Sequence, residues 1–418
     1  MLRSIAREFA IVVLGMIMAA STAGPAAAEG PLKVFVLAGQ SNMQGHAQVR
    51  TLPAMKLDPR LAPLYGELCN DDGTPRISDR VWISSIGCAP DEQVGKLTAG
   101  FGAGDRGEKI GPEFSFGVTV ARLLDEPVLL IKTSWGGKSL HTDFRPPSAG
   151  RYEFNESELE AFRKRGTDID AARAEKDAAT GVYYRLMIEH VRKVLADIPR
   201  VVPGYDASSG YELAGFVWFQ GWNDMVDGGA YPNRGKEGGY AAYGEVLAHL
   251  IRDIRCDLDA PALPFVIGVL GVGGPVDSYG PDERRYAATH RNFRDAMAAP
   301  ASMPEFAGTV AAVRTEAFWD GEVAALRARE ATLKTKIEQI RSEIKDGTRT
   351  RADGDAAIEA VFAEHFDARE LTLLRESVSN QEYHYLGSAR IIAPIGEAFA
   401  EAAVALHRAT ETTKGPSK

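Results

Sequence analysis

A three-layer α/β/α fold around a parallel sheet is predicted from three observations. Short apolar, β-branched runs recur along the chain, amphipathic helical patterns separate them, and glycine-rich turns follow the runs directly. Strands that are apolar on both faces need cover on both faces, and the intervening helices supply it. Among 418 residues, 45% are apolar and 25% charged, which is ordinary globular usage and enough for a large core.

Taken in order, the first element lies outside this fold. Arg3 and Arg7 precede an uncharged apolar stretch, Phe9 to Ala20, and Ala26-Ala27-Ala28 supplies small side chains before Glu29. That layout reads as a cleavable secretory signal over residues 1–28, and its apolar run is short for a membrane span. The protein is therefore expected to be periplasmic or secreted, with no membrane anchor after cleavage. Leu32 to Ala38 is the first predicted strand, followed by Pro127 to Thr133, Ala214 to Phe219, Pro264 to Leu270 and Thr309 to Val313. Helical patterns cover Glu113 to Leu124, Val182 to Ala196, Tyr240 to Ile254, Arg284 to Ala298 and Ser388 to His407. Gln44 to Ile110 is rich in Gly, Pro and Asp and reads as a loop-dominated excursion over 44–110. Glu322 to Glu370 departs from the α/β alternation. Val323, Leu326, Leu333, Ile337, Ile340 and Ile344 form a heptad stripe that ends at Asp346-Gly347, and Ala356 to Phe366 returns as a second helix. This is an inserted helical hairpin, 322–370, serving either as a packed insertion or as an arm for homo-oligomer formation. The domain proper spans 29–418.

Composition excludes several classes. With 48 Lys+Arg against 57 Asp+Glu the formal charge is −9, so neither nucleic acid nor an anionic membrane surface is an expected partner. Three cysteines do not make a disulfide scaffold. Cys69 and Cys88 either pair within the loop-rich region or, with Cys256, stay as buried free thiols. No metal-ligand spacing occurs, and no metal or organic cofactor is expected.

In open parallel sheets, ligands bind beyond the carboxyl ends of the strands. After the first strand stands Gly39-Gln40-Ser41-Asn42-Met43, which presents a serine on a tight turn where a nucleophile would sit. After the second predicted strand, Ser134-Trp135-Gly136-Gly137-Lys138 lets backbone N–H groups approach a developing oxyanion. After the third, Gln220-Gly221-Trp222-Asn223-Asp224 offers a side-chain amide to the same oxyanion. Asn380-Gln381-Glu382-Tyr383-His384-Tyr385 places a histidine just before the last helix.

In this order the four blocks resemble the SGNH hydrolase superfamily, specifically its sialate O-acetylesterase-like carbohydrate esterase branch, over about Val34 to Ala402. Gly111-Pro112-Glu113-Phe114-Ser115-Phe116-Gly117 is a further stretch typical of that branch. The resemblance implies the flavodoxin-like α/β/α fold and a serine esterase that removes O-acetyl groups from sugars. It implies Ser41 as nucleophile, His384 as base, and an oxyanion site made by Ser41 N–H, Gly136 or Gly137 and Asn223. Gln40, Gln220, Trp222 and Arg145 are candidate substrate contacts, with His141 and Asp143 near the mouth. The superfamily's last block usually reads D-x-x-H, and Gln381 stands at its acidic position. Glu382 or Asp224 substitutes, or the enzyme runs as a Ser–His dyad with Gln381 orienting the ring, or catalysis is impaired and the chain is a carbohydrate-binding pseudoenzyme. A GDSL-type lipase is the other enzyme class in view.

Overall fold

The computed structural model describes residues 30–104 and 108–414; the leader expected over 1–28 lies outside them. The strands run in chain order as β1 (Leu32–Gly39), β2 (Ala47–Gln48), β3 (Val81–Ile86), β4 (Gln93–Lys96), β5 (Lys109–Ile110), β6 (Val128–Ser134), β7 (Tyr211–Phe219), β8 (Phe265–Val269) and β9 (Val310–Arg314). Seven of them form one sheet in the order β4-β3-β6-β1-β7-β8-β9, while β2 and β5 pair separately. Every neighbour in the large sheet is parallel except β4, which lies antiparallel on β3. Helices cover the sheet, giving the α/β/α architecture expected from the alternating pattern.

β1 is central and buried along its whole length. From it the chain visits one side of the sheet, returns to β6, and then builds β7, β8 and β9 on the other side. β1 is thus the topological switch point, the place where such sheets bind ligands. Its register fixes the level of that edge. Gly39 pairs with both Ser134 and Phe219, so β1, β6 and β7 end side by side.

The excursion at 44–110 contains more regular structure than its composition suggests. It supplies β3 and β4 and a helix at Ala62–Leu68. The polar pair Ser84 and Ser85 interrupts the apolar run of β3, yet both serines are buried against neighbours. Two helices, Glu156–Arg165 and Ile169–Ala179, also carried no apolar signal; no residue of either is buried, and Asn155 and Asp168 cap them instead. Cys69 and Cys88 are both buried free thiols, not a disulfide, and Cys256 is an exposed one.

Residues 321–377 form four helices, Gly321–Thr332, Lys334–Lys345, Arg351–His365 and Ala368–Ser377. The stripe from Val323 to Ile340 is buried within the chain, with Val361, Phe366, Leu373 and Leu374 in the same apolar cluster. Ile344, the last residue of the stripe, is only partly buried, beside Ile358 of the third of these helices. No described helix is long and apolar enough to cross a membrane.

Candidate active site

Because β1, β6 and β7 end level, their following turns meet. Gly39 is required at this crossing: a Cβ there would lie 2.1 Å from the Phe219 carbonyl oxygen. The chain then enters a single helical turn, Ser41–Gln44, with Ser41 at its start and 8% exposed. Gly136 packs directly against that turn. A Cβ on Gly136 would stand 3.8 Å from Ser41 Cβ and 2.9 Å from Gln44 Oε1, so this backbone lies against the turn. Gly137, at φ +74°, faces open space.

The third turn is tied to the first by amides. Gln40 Nε2 donates to Asn223 Oδ1 at 2.9 Å, while Gln40 Oε1 accepts from Gly221 N and Gln220 Nε2, both at 3.1 Å. With its oxygen engaged by Gln40, Asn223 turns its Nδ2 donor away from Gln40, and that donor meets no acceptor among the described residues. Gln40 and Gln220 are each 1% exposed. They are positioning residues beneath the site and not the substrate contacts expected from the sequence.

Asp224 is fully buried and holds its loop. Its carboxylate accepts from Leu140 N (2.8 Å), His141 N (3.0 Å), Gln220 Nε2 (2.6 Å) and Tyr231 OH (3.1 Å). Glu382 points into a neighbouring cleft with Gln381. Neither carboxylate bonds to His384, so neither substitutes for the missing acid of the D-x-x-H block. Asn380 is a side chain that bonds the ring. Its Oδ1 lies 3.0 Å from His384 Nδ1 and also accepts from Gln381 N at 2.7 Å. The backbone donor of Gln381 fixes which end of the amide faces the ring. Nδ1 must then carry the proton, which leaves Nε2 as the basic nitrogen. Gln381 contributes through its main chain, not its side-chain amide. His46 stacks on His384 with ring centroids 3.9 Å apart and planes 2° from parallel. Tyr383 meets His384 edge-on at 4.5 Å and Trp222 at 5.7 Å, so Trp222 does reach the rim of the site.

Asn380, His46, Tyr383 and Gln44 escaped the sequence reading. Asn380 had one available signal, its spacing four residues before His384, which a tight turn converts into contact. The others come from distant elements. Arg145 is no contact for an acidic sugar: its guanidinium donates to the carbonyls of Gly150, Ala149 and His141. His141 faces Asp227, whose carboxyl the imidazole holds well below the usual range. Asp143 accepts from Ser139.

A buried ion pair underlies the Ser41–Gln44 turn. Lys132 Nζ lies 2.8 Å from Glu113 Oε2, Gln44 O and Phe101 O, and Glu113 Oε1 accepts from Gly111 N. Both side chains are wholly buried. The ammonium thereby grips the last residue of the Ser41–Gln44 turn. Among the described residues, one group could offer three metal ligands, Glu212, His407 and Glu411. Lys33 Nζ already lies 2.8 Å from Glu212 and 3.6 Å from Glu411, which makes the group an ion-pair cluster.

Residues 31–307 match the family model described as carbohydrate esterase, sialic acid-specific acetylesterase. No curated protein matches the sequence significantly. Three solved structures are similar to the chain. One is a protein from Arabidopsis thaliana, at 15% identity and TM-score 0.35, covering 68% of this chain and 86% of that one. Another is a carbohydrate acetylesterase from Xanthomonas citri, at 15% identity and TM-score 0.35, covering 67% of this chain and 49% of that one. The third is NanS, at 12% identity and TM-score 0.36, covering 68% of this chain and 79% of that one.

Proposed function

The chain belongs to the carbohydrate esterase family of sialic acid-specific acetylesterases, and from that premise we propose that it removes O-acetyl groups from sugars through a Ser41 acyl-enzyme. The observation that carries this reading is the meeting, at the β1 switch point, of Ser41, the Gly136 backbone and Asn223. In this mechanism His384 Nε2 takes the Ser41 proton as Oγ attacks the ester carbonyl. The carbonyl oxygen becomes an oxyanion facing Ser41 N–H, Gly136 N–H and Asn223 Nδ2, donors aimed before the charge develops. His384 then gives its proton to the departing sugar hydroxyl, and water attacks the acetyl-enzyme with His384 again as base. Asn380 Oδ1 accepts from Nδ1–H in both the neutral and the protonated ring. Trp222 and Tyr383 offer flat apolar faces at the rim against which a pyranose ring would rest.

Export is part of the same proposal, supported by the leader pattern at residues 1–28, and N-terminal sequencing of the cell-processed protein tests it. For the chemistry, a fluorophosphonate probe is expected to label Ser41 covalently. Acetate release from an O-acetylated glycan panel is expected to vanish in Ser41→Ala. Labelling at another serine, or full activity in that variant, overturns the assignment.

A further inference from the structure

Beside the His384 turn lies a cleft of about 550 Å³. One wall is the turn itself, through Gln381, Glu382 and Leu386. The facing wall combines the Gly273–Gly280 loop after β8, Trp319 after β9, and the first helix of the inserted arm from Gly321 to Ala331. All of these follow the carboxyl ends of strands or pack against them, so the cleft continues the same edge of the sheet that carries Ser41.

Its chemistry is one-sided. The charged lining residues are Glu283, Glu382 and Arg327. Arg327 is committed to Glu330 on its own helix, so the pair is neutral. Arg284 donates to the Tyr279 carbonyl, and Arg294 behind the loop is held by Glu316 and the Gly274 carbonyl. Glu283 and Glu382 accept no hydrogen bond from a described side chain or main-chain group. Desolvation within the cleft and the nearby Glu283 carboxylate both raise the Glu382 carboxyl above its ordinary range, although both side chains stay exposed. Two carboxylates with open lone pairs, next to a half-buried indole and the Tyr279 ring, suit hydroxyls and flat C–H faces.

We infer that this cleft binds the remainder of a neutral, polyhydroxylated sugar chain that carries the acetyl ester, and that Glu283 and Glu382 select against anionic sugars such as sialic acids. The inference rests on the esterase reading and narrows its substrate class, in the opposite direction to the wording of the family description. Like charges brought together across a binding site discriminate strongly against the wrong partner. Helix residues Ala325 and Ala328 keep the arm's wall shallow enough for a chain to lie along it.

The test compares kcat/KM on an O-acetylated neutral oligosaccharide, an O-acetylated sialic acid and 4-nitrophenyl acetate. The wild-type protein is expected to prefer the neutral oligosaccharide over the sialic acid ester. That ratio is expected to fall about fivefold in Glu283→Gln and again in Glu382→Gln, and to narrow at high salt, as for exposed charges. Ala328→Trp, which fills the cleft sterically, is expected to raise KM for the oligosaccharide far more than it lowers kcat. A wild-type protein that cleaves the sialic acid ester as well as the neutral one, or a ratio unmoved in both glutamate variants, overturns the inference. Failure of the wild-type protein to hydrolyse any of the three esters overturns the esterase reading beneath it instead.

Discussion

In the mechanism we propose, Asn380 does at His384 what a carboxylate does in the usual triad, because its amide is held from turning round. Gln381 N–H donates to the same Asn380 oxygen that faces Nδ1. When an acid is replaced by an amide without such a lock, the imidazole takes the wrong tautomer. Asn380→Ala is expected to lower kcat of the order of a hundredfold, at the low end of what a positioned base contributes. Asn380→Asp is expected to keep activity and to move the acidic limb of the kcat profile to higher pH, because a carboxylate favours the imidazolium. A pH profile unchanged in Asn380→Asp counts against the contact. At Asn223 the expectation is loss of an oxyanion donor, about a hundredfold or more in kcat with little change in KM. Turnover of Asn223→Ala equal to wild type removes it from the oxyanion site.

The turn that presents His384 owes its shape to strain held by an anchor. Tyr385 (φ +51°) and Leu386 (φ +59°) are consecutive non-glycine residues in the left-handed region, each costing about 1–3 kcal/mol. Tyr385 is completely buried, and its hydroxyl accepts from Gly271 N at 2.8 Å and meets Thr315 Oγ1 at 2.7 Å. The aromatic anchor thus ties the His384 turn to the loops after β8 and β9. Tyr385→Phe keeps the ring but leaves the Gly271 donor unpaired, a cost of about 1–3 kcal/mol. Denaturant unfolding should show that loss, and kcat should fall with it because the turn is no longer pinned. The Lys132–Glu113 pair serves the Ser41–Gln44 turn in the same way, with charge in place of an aromatic ring. Removing one member of such a buried pair typically costs about 3–5 kcal/mol.

At the scale of the whole molecule, acid sensitivity follows from buried histidines. His190 bonds Ser84 from a site 5% exposed, and burial lowers its pKa to about 4. Burial also lowers His290 to about 4 and depresses His407. A group whose pKa is depressed on folding is neutral in the native state above its unfolded value near 6.5. As pH falls below that value the unfolded chain binds a proton that the native state refuses, so stability is lost down to about pH 4. For His190 alone the loss reaches about 3 kcal/mol. Glu92, held at about 2 first against its own desolvation by Arg200, Lys193 and Ser84, adds a further loss below about pH 4.5. Urea midpoints at pH 7 and pH 5 are expected to differ, and the difference should shrink in His190→Gln. Equal midpoints in the wild-type protein would contradict the buried neutral state.

The parallel α/β/α fold, the family and the order of the site blocks were legible in the sequence, because each depends on local pattern. Apolar runs mark buried strands, helical periods mark the layers, and the family match falls on the chain segment that carries Ser41, Gly136 and Asn223. β3 was illegible because Ser84 and Ser85 look exposed in the sequence, yet both are buried in the fold, where Ser84 meets His190 and Glu92. The polar helices at 156–165 and 169–179 were missed for the converse reason: they bury no side chain fully, and their contacts, such as Phe162 on Phe154 and Lys176 over Tyr152, leave no apolar period to record them. Tertiary structure alone decided which residues support the chemistry. Asp224 and Asn380 are both hydrogen-bonding side chains within four residues of a candidate site residue, and nothing in the sequence distinguishes a loop brace from a ring orienter. Strand register places the Asp224 carboxylate among the Leu140 and His141 amides, and the strained turn at Tyr385 places the Asn380 amide against His384. Hydrogen bonds reach about 3 Å, and only the folded chain determines which groups stand that close.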